Sequence, residues 1–248
     1  MSIQLKPIGT YKTGIFDESA AEIVSYDAAT KRLFVVNANS ATIDVLDVSS
    51  LKSDGSVDPS LAFSIDVTPY GAVANSVDVQ NGVVAVAVEN ADKQAAGNVV
   101  FFDTNGNFQS SVTVGALPDM VTFTPDGTKL LVANEGEPSD DYTNDPVGSI
   151  SVIDISSGVA NATVTTAGFD AFIGREAELN AAGVRVFGPG ANAAQDFEPE
   201  YISVSPDGTR AFAVMQENNA VAIVDVANAT ILDVVSLGTK DHSVAGNE

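Results

Sequence analysis

The sequence predicts an all-β fold, a β-propeller of four-stranded blades, and three observations lead to it. First, four segments of the 248-residue chain share one plan: a short strand, a polar turn, an apolar strand, a polar loop and a third strand that ends in an aspartate. Second, a further strand follows each segment, so each unit of ~40–50 residues offers the four strands of a propeller blade. Third, helical periodicity is nearly absent.

The repeats divide the chain into four predicted blades and one insertion. The blades cover residues 20–68, 72–115, 117–168 and 196–238, and the insertion covers residues 169–195. The third strands close at Asp47, Asp103, Asp154 and Asp225. The fourth strands read "LAFSIDV", "FQSSVTV", "NATVTTA" and "TILDVVSL". "TPDGT" and "SPDGT" predict tight turns, and "DAFIGREAELNAAG" in the insertion predicts a short surface helix.

One predicted strand is left over. The N-terminal "SIQLKPIGTYKTG" resembles a fourth strand with its exit, which gives five outer strands for four inner sets. Propellers commonly close their ring by adding an N-terminal outer strand to the last blade. We therefore expect this chain to be an incomplete piece of a larger propeller, and a closed four-bladed ring is the alternative.

Composition limits the partners. Eleven Lys and Arg stand against 33 Asp and Glu, a net charge of −22, so nucleic acid and anionic membranes are poor partners while divalent cations fit. Acidity that serves solubility alone is the alternative. The absence of cysteine excludes disulfides and thiolate metal sites. No run is long enough to span a membrane. The N-terminus lacks signal-peptide features, which favours the cytoplasm by default without excluding export.

Acidic residues recur on one predicted face. In a blade, the loops before the first strand and after the second lie together near the central channel, and both positions are polar in every unit. The residues before the first strands are Glu22, Asn75, Asp119 and Glu200. Those at the ends of the second strands are Asn37, Glu89, Asn134 with Glu135, and Gln216 with Glu217. Carboxylate and amide oxygens are hard ligands that suit calcium or magnesium, and calcium is the cofactor we expect. Turn capping by each residue separately is the alternative. The predicted ligands are Glu22, Glu89, Asp119, Glu135, Glu137, Asp140, Asp141, Asp145, Glu198 and Glu200.

The best single candidate is the loop "NEGEPSDDYTNDPVG" at residues 134–148, which holds five of these carboxylates. It lacks the EF-hand spacing, and a solvated connector is an equally weighted interpretation. No catalytic residue is predicted. His242 is the sole histidine, and no Gly-x-Ser-x-Gly motif accompanies it. Arg175, Arg185 and Arg210 belong to no phosphate-binding motif.

Several segments resemble a known family. "VSPDGTRAFAVMQENNAVAIVDVANATILDVVSLG" is similar to surface-layer-type propeller repeats. "ANEGEPSDDYTNDPVGSISVIDI" and "AQDFEPEYISVSPDGTRAFAVMQENNAVAIVD" resemble the choice-of-anchor I proteins. That bacterial group includes atypical alkaline phosphatases and relatives of a mesenchyme-specific cell-surface glycoprotein. The resemblance implies an extracellular or surface propeller of about seven blades, of which this chain would be the N-terminal half. It extends to the acidic loop and to Glu198 and Glu200.

Two functions remain open from the sequence. One is a non-catalytic surface or adhesion propeller whose acidic rim holds a cation and binds a ligand, a glycan or a partner protein. The alternative is a calcium-dependent phosphomonoesterase, in which the cation polarises the phosphoryl group of a phosphoester. A cytoplasmic scaffold is a distant third.

Overall fold

A computed structural model describes residues 3–50 and 52–244 and confirms the all-β propeller fold. The described residues form sixteen strands in four antiparallel sheets, each a four-stranded meander. Blade 1 contains β1 (Val24–Asp27), β2 (Arg32–Asn37), β3 (Thr42–Asp47) and β4 (Ser60–Asp66). Blade 2 contains β5 (Val73–Gln80), β6 (Val83–Glu89), β7 (Ala96–Asp103) and β8 (Phe108–Ala116). Blade 3 contains β9 (Pro118–Phe123), β10 (Lys129–Asn134), β11 (Ser149–Asp154) and β12 (Thr163–Gly168). Blade 4 contains β13 (Tyr201–Val204), β14 (Arg210–Met215), β15 (Ala220–Asp225) and β16 (Thr230–Ser236).

The repeated aspartates are turn residues. At the end of β3 the Asp47 carboxylate accepts the Ser49 N–H at 2.7 Å, and at the end of β11 the Asp154 carboxylate accepts the Ser156 N–H at 2.9 Å. Such Asx-turns reverse the chain toward the fourth strand. In the predicted "SPDGT" turn, the Asp207 carboxylate accepts the Thr209 N–H at 3.0 Å. This repeat therefore has a structural cause.

Successive blades pack face to face through apolar cores. Alternation along each strand places one set of apolar side chains toward the preceding blade and the other toward the following blade. Phe34 and Ile43 of blade 1 are completely buried in a cluster with the valines of blade 2. The same arrangement joins blade 2 to blade 3 and blade 3 to blade 4.

The N-terminal segment differs from its prediction. The expected extra outer strand begins at Ser2, which lies outside the described residues, and residues 3–23 form no strand. One backbone hydrogen bond ties the segment to blade 1: the Val57 N–H donates to the Ile8 carbonyl at 2.7 Å. Many residues here are exposed, including Ile3 and Leu5, so little apolar burial holds the segment in a sheet.

The insertion packs against blades 3 and 4. It contains helix α1 (Glu176–Ala181), in the region where a short helix is predicted, and helix α2 (Ala193–Asp196). Phe172 and Leu179 are buried in the core shared with blades 3 and 4. The rings of Phe169 and Phe197 meet edge to face at 5.2 Å. This aromatic contact fixes the backbone that leads from α2 into blade 4.

Candidate functional site

Two equivalent β-bulges aim polar side chains away from their ladders. In blade 2, Ala74 pairs with Val88 and Ser76 with Ala87, which leaves Asn75 as the extra residue. In blade 3 the register shifts in the same way and leaves Asp119 as the extra residue. The Asn75 amide donates to the Glu89 carboxylate at 3.3 Å and to the Pro118 carbonyl at 3.2 Å. Bulges of this kind redirect side chains near functional sites.

An acidic cavity of about 220 Å³ lies between the blade 3 loop, the insertion and the start of blade 4. We call it the acidic cavity. The chain segments that meet there follow β10, form the end of α2, and follow β14. No basic residue lines it among the described residues. Its acidic lining consists of Glu135, Glu137, Asp145, Asp196, Glu198 and Glu217.

Buried hydrogen bonds position the walls of the cavity. The side chain of Asn218 is fully buried; its amide donates to the Asp196 carbonyl at 2.6 Å, and its oxygen accepts the Glu198 N–H at 3.2 Å. The Gln195 amide donates to the Asp145 carbonyl at 3.0 Å and so ties the blade 3 loop to α2. Gly148 is required where the loop rejoins β11, because a Cβ there would collide with the Phe197 carbonyl.

Burial and mutual repulsion raise the pKa values of several of these carboxyls. Burial is the larger cause for Glu135, and the neighbouring Asp119 and Glu137 add to it, raising its pKa to about 8. Burial, then Glu217 and Asp196, raise the pKa of Glu198 to about 7. Both effects disfavour the charged form. These carboxyls therefore hold protons near neutral pH unless a cation balances their charge.

The same causes extend the cluster beyond the cavity. Burial, followed by the adjacent Glu217 carboxyl, raises the pKa of Glu200 to about 8. Burial, together with Glu22 and Glu89, raises the pKa of Asp119 to about 6. The interacting acidic groups thus extend from Glu22, just before β1, to Glu200, just before β13. We call the whole set the acidic cluster.

Two oxygen atoms in the cavity are left without partners. Asp145 Oδ1 and Glu217 Oε2 are buried and accept no hydrogen bond from the described residues. Unpaired buried oxygens cost free energy, and a cation would satisfy them. However, within residues 3–50 and 52–244, no three acidic or histidine side chains converge closely enough to hold a metal ion as they stand. Direct ligation of an ion by three of these side chains would therefore require the side chains to rotate inward.

Most of the predicted ligands come together, and two do not. Asp140 and Asp141 lie exposed outside the acidic cavity, beside a shallow depression lined by Asp92 and Lys93. Asp141 caps its own turn: it accepts the Thr143 hydroxyl at 2.7 Å and the Thr143 N–H at 3.1 Å, and these hydrogen bonds lower its pKa. The predicted ligands that belong to the acidic cluster are Glu22, Glu89, Asp119, Glu135, Glu137, Asp145, Glu198 and Glu200.

Sequence reasoning missed two cluster members and misjudged two amides. Asp196 was not predicted, and Glu217 was placed on the rim without being counted as a ligand. Glu217 follows β14 just as Glu135 follows β10, and this repeat position was the available signal. Asn37 and Asn134, expected on the rim, are buried structural amides. The Asn134 amide donates to Ser151 Oγ at 2.9 Å, and its oxygen accepts the Gly115 N–H at 3.1 Å.

Arg175, Arg185, Arg210 and His242 lie outside the lining of the acidic cavity. Arg175 pairs with Glu178 at 2.7 Å, and Arg210 pairs with Asp225 at 3.1 Å. Arg185 donates to the Gln216 carbonyl at 3.1 Å. His242 lies in a separate surface depression beside Asn219 and Gly238. A phosphate in the acidic cavity would therefore meet six carboxyl groups and the Tyr142 hydroxyl, and no basic side chain of its lining.

Solved structures share the fold at low sequence identity. A chain of a nidogen/laminin complex matches at 12% identity with a TM-score of 0.52, over 89% of this chain and 65% of that one. The Cps50 (Swd1) β-propeller domain of Myceliophteria thermophila matches at 12% identity and a TM-score of 0.55, over 88% and 56%. A functionally unknown protein from Desulfotomaculum acetoxidans gives 12% and 0.55, over 86% and 55%. The chain thus spans 55–65% of the length of these three structures.

No curated protein sequence matches the chain. Within the described residues, no helix has the length and apolar character needed to cross a bilayer. The model of the choice-of-anchor I domain matches residues 22–247, nearly the whole chain. This match accords with the four blades and with a surface-type β-propeller. The chain belongs to the choice-of-anchor I family.

Proposed function

We propose that this chain is a surface-associated binding propeller whose acidic cavity takes up a divalent cation, calcium in particular. The observation that carries the proposal is a cavity lined by six carboxyl groups and by no basic residue. Family membership supports the surface association and the propeller framework. The identity of the cation rests on the chemistry of the lining.

Calcium suits the lining better than other common ions. It takes six to eight oxygen ligands in flexible geometry, whereas magnesium demands a near-ideal octahedron. The cavity offers carboxylate oxygens from three chain segments and has room for bound water. Zinc and copper prefer nitrogen or sulfur ligands, and none of the lining residues is a histidine or a cysteine.

A cation in the cavity would also give the surface a binding role. Bound calcium turns an acidic surface into one that accepts oxygen ligands from a glycan or from an acidic side chain of a partner. The cation then bridges two sets of oxygens that would otherwise repel each other. Binding or adhesion through such a bridge needs no nucleophile and no general acid.

Calcium titration of the chelator-treated chain by calorimetry tests the proposal. We expect one binding event with a dissociation constant of about 10⁻⁴–10⁻³ M, the range of extracellular calcium modules. Glu198→Gln should weaken binding at least about tenfold, since it removes a charge from the cavity wall. Asp140→Asn is the matched control, because Asp140 lies in the same acidic loop but outside the cavity. Equal calcium affinity in the parent, Glu198→Gln and Asp140→Asn would exclude this site.

Phosphomonoester hydrolysis is assayed with the same proteins. We expect no turnover of p-nitrophenyl phosphate with calcium or with chelator, because the cavity lining supplies neither a basic clamp nor a nucleophile activated by a base. Calcium-dependent turnover that disappears in Glu198→Gln but persists in Asp140→Asn would replace the binding function by a phosphatase function at the same site.

A further inference from the structure

Two aromatic side chains lie on the rim of the acidic cavity. Tyr142 comes from the blade 3 loop and Phe187 from the insertion, and both belong to the lining. Tyr142 is 49% exposed and Phe187 is 64% exposed. Single exposed apolar residues are ordinary on a protein surface, but here two rings and Pro138 share one cavity with six carboxyl groups. The acidic cavity therefore has apolar walls as well as acidic ones.

A strained turn presents Tyr142. Its φ is +56°, in the left-handed region that glycine and asparagine adopt more readily than a bulky residue does. Backbone hydrogen bonds close the turn: the Tyr142 N–H donates to the Ser139 carbonyl at 2.7 Å, and the Ser139 N–H donates to the Asn144 carbonyl at 2.8 Å. Because the ring stays half exposed, burial in a core does not explain why a tyrosine occupies this position.

Phe187 is held by a wall of the cavity itself. Its N–H donates to Asp196 Oδ2 at 2.9 Å, and the Gly188 N–H donates to Asp196 Oδ1 at 2.6 Å. Neither Phe187 nor Tyr142 contacts another aromatic ring among the described residues. Three other rings of this region do pack on one another in the core: Phe169, Phe172 and Phe197. The two rim rings thus keep surface available for a ligand.

A carbohydrate matches both parts of this lining. The C–H groups of a sugar face pack on the negative face of an aromatic ring. The hydroxyl oxygens of a sugar are hard ligands of the kind that calcium takes, and its hydroxyl hydrogens donate to carboxylate oxygens. The lining holds two buried oxygens that accept no hydrogen bond from the described residues, Asp145 Oδ1 and Glu217 Oε2. A ligand rich in hydroxyl groups supplies the donors that these oxygens lack.

An acidic side chain of a partner protein matches less of the lining. It would bring a further negative charge to six carboxyl groups, on a chain of net charge −22, and neighbouring like charges disfavour each other. Sugar hydroxyls bind calcium without adding charge. An acidic side chain would also make no use of the two rings.

We propose that the acidic cavity is a carbohydrate subsite. It seats one sugar unit, with neighbouring hydroxyls on the bound calcium and the C–H faces against Tyr142 and Phe187. The cavity volume of about 220 Å³ is below the roughly 300–1,000 Å³ of pockets that enclose drug-sized ligands, so the rest of a glycan chain lies outside. This subsite depends on the calcium binding proposed above, and the rings add the selectivity for a sugar.

Saturation-transfer NMR with methyl α-mannopyranoside and methyl β-galactopyranoside tests the subsite. Each sugar carries neighbouring hydroxyls, and the two differ in the C–H face that they offer. With calcium present we expect transfer to the ring protons of at least one of them, and a chelator should abolish it. Tyr142→Asn and Phe187→Ala should each weaken the sugar affinity about fivefold, while calcium affinity measured by calorimetry stays the same.

The variants are chosen to keep the fold. Asparagine suits the left-handed φ of residue 142, and Phe187 is too exposed for its removal to open a core. Tyr26→Ala is the control, because Tyr26 is 52% exposed on blade 1 and lies outside the lining of the cavity. It should change neither the sugar affinity nor the calcium affinity.

The two readouts separate the subsite from the calcium site. Calcium binding without transfer to either sugar would overturn the carbohydrate subsite and leave the calcium site standing. Absence of calcium binding in the parent would overturn both. Sugar affinity that is equal in the parent and the two ring variants would place the sugar elsewhere. An N-acetylated tetraglutamate peptide that binds with calcium where neither sugar does would show that the cation serves an acidic partner instead.

Discussion

Replacing Glu135 by glutamine should stabilise the protein at alkaline pH while weakening its response to calcium. Glu135 has its pKa raised from 4.5 to about 8 by burial and by the carboxylates around it. At pH 8 the folded chain must therefore carry either a buried proton or a repelled charge at this position. Glutamine keeps the shape and removes the charge.

The size of the effect follows from the pKa. Each pKa unit is worth about 1.4 kcal/mol, so the rise to about 8 corresponds to about 5 kcal/mol as an upper bound. Glu135 is only partly buried and the cavity opens to solvent, so water and salt screen part of the repulsion. We expect the free energy of unfolding to rise by about 1–3 kcal/mol at pH 8. For a chain of this length that is roughly 2–12 °C in Tm.

The assay is chemical and thermal unfolding of Glu135→Gln and the parent, at pH 5 and pH 8, with chelator and with calcium. Near pH 5 the gain should vanish, because Glu135 is then protonated in the folded parent. In calcium the advantage of the variant should shrink. At ten times its dissociation constant calcium stabilises the parent by about 1.4 kcal/mol, and the variant loses most of this. A variant that is destabilised at pH 8, or stabilised equally at both pH values, would refute the reasoning.

Three further predictions concern pH, the rim amide and the core. The parent without cations should lose stability from about pH 5 to 8. The raised pKa values of Glu198 and Glu200 make the folded state bind protons that the unfolded state releases over this range. Urea midpoints that rise from pH 5 to 8 would contradict this prediction. Asn134→Ala should lower the free energy of unfolding by about 2–4 kcal/mol, since it leaves the Gly115 N–H and the buried Ser151 hydroxyl without their partner. Calcium affinity should not change. Urea unfolding measures the first effect and calorimetry measures the second. Phe197→Ala should cost about 3–5 kcal/mol by opening a cavity among buried aromatic rings, and thermal unfolding should show no loss with the exposed control Ile173→Ala.

The fold was predictable because its signals are local and repeated. A short apolar run bounded by polar turns, such as Arg32–Asn37, predicts a buried strand, and Asp47 and Asp154 mark the same turn in different blades. The prediction of an N-terminal strand was wrong because a local pattern alone does not make a strand. Its alternating pattern suits a strand, but strand formation depends on a neighbouring edge and on apolar burial, and Leu5 is 95% exposed.

The site was predictable only to its rim. Strand ends place Glu135 and Glu200 on one face, and this much follows from blade geometry. Which of the nearby carboxylates line the cavity depends on the path of the loops, and the sequence pattern does not predict that path. The turn at Asp141 keeps Asp140 and Asp141 outside the cavity, while Gln195 holds the loop near Asp145 against α2. Asp196 comes from the insertion, which has no counterpart in the other blades.

The acidic cluster runs against the needs of the fold, and this conflict bears on function. The blades are held together by apolar cores that end before the cavity, so no blade contact requires Glu135 or Glu198 to be charged. Their repulsion and the unpaired oxygens of Asp145 and Glu217 lower stability instead. Groups that violate local energetic rules are expected at functional positions. A cation bound there, as we propose, would neutralise the repulsion and supply the missing partner of these oxygens. The same charges that lower the stability of the fold would then be the source of the proposed affinity for the cation.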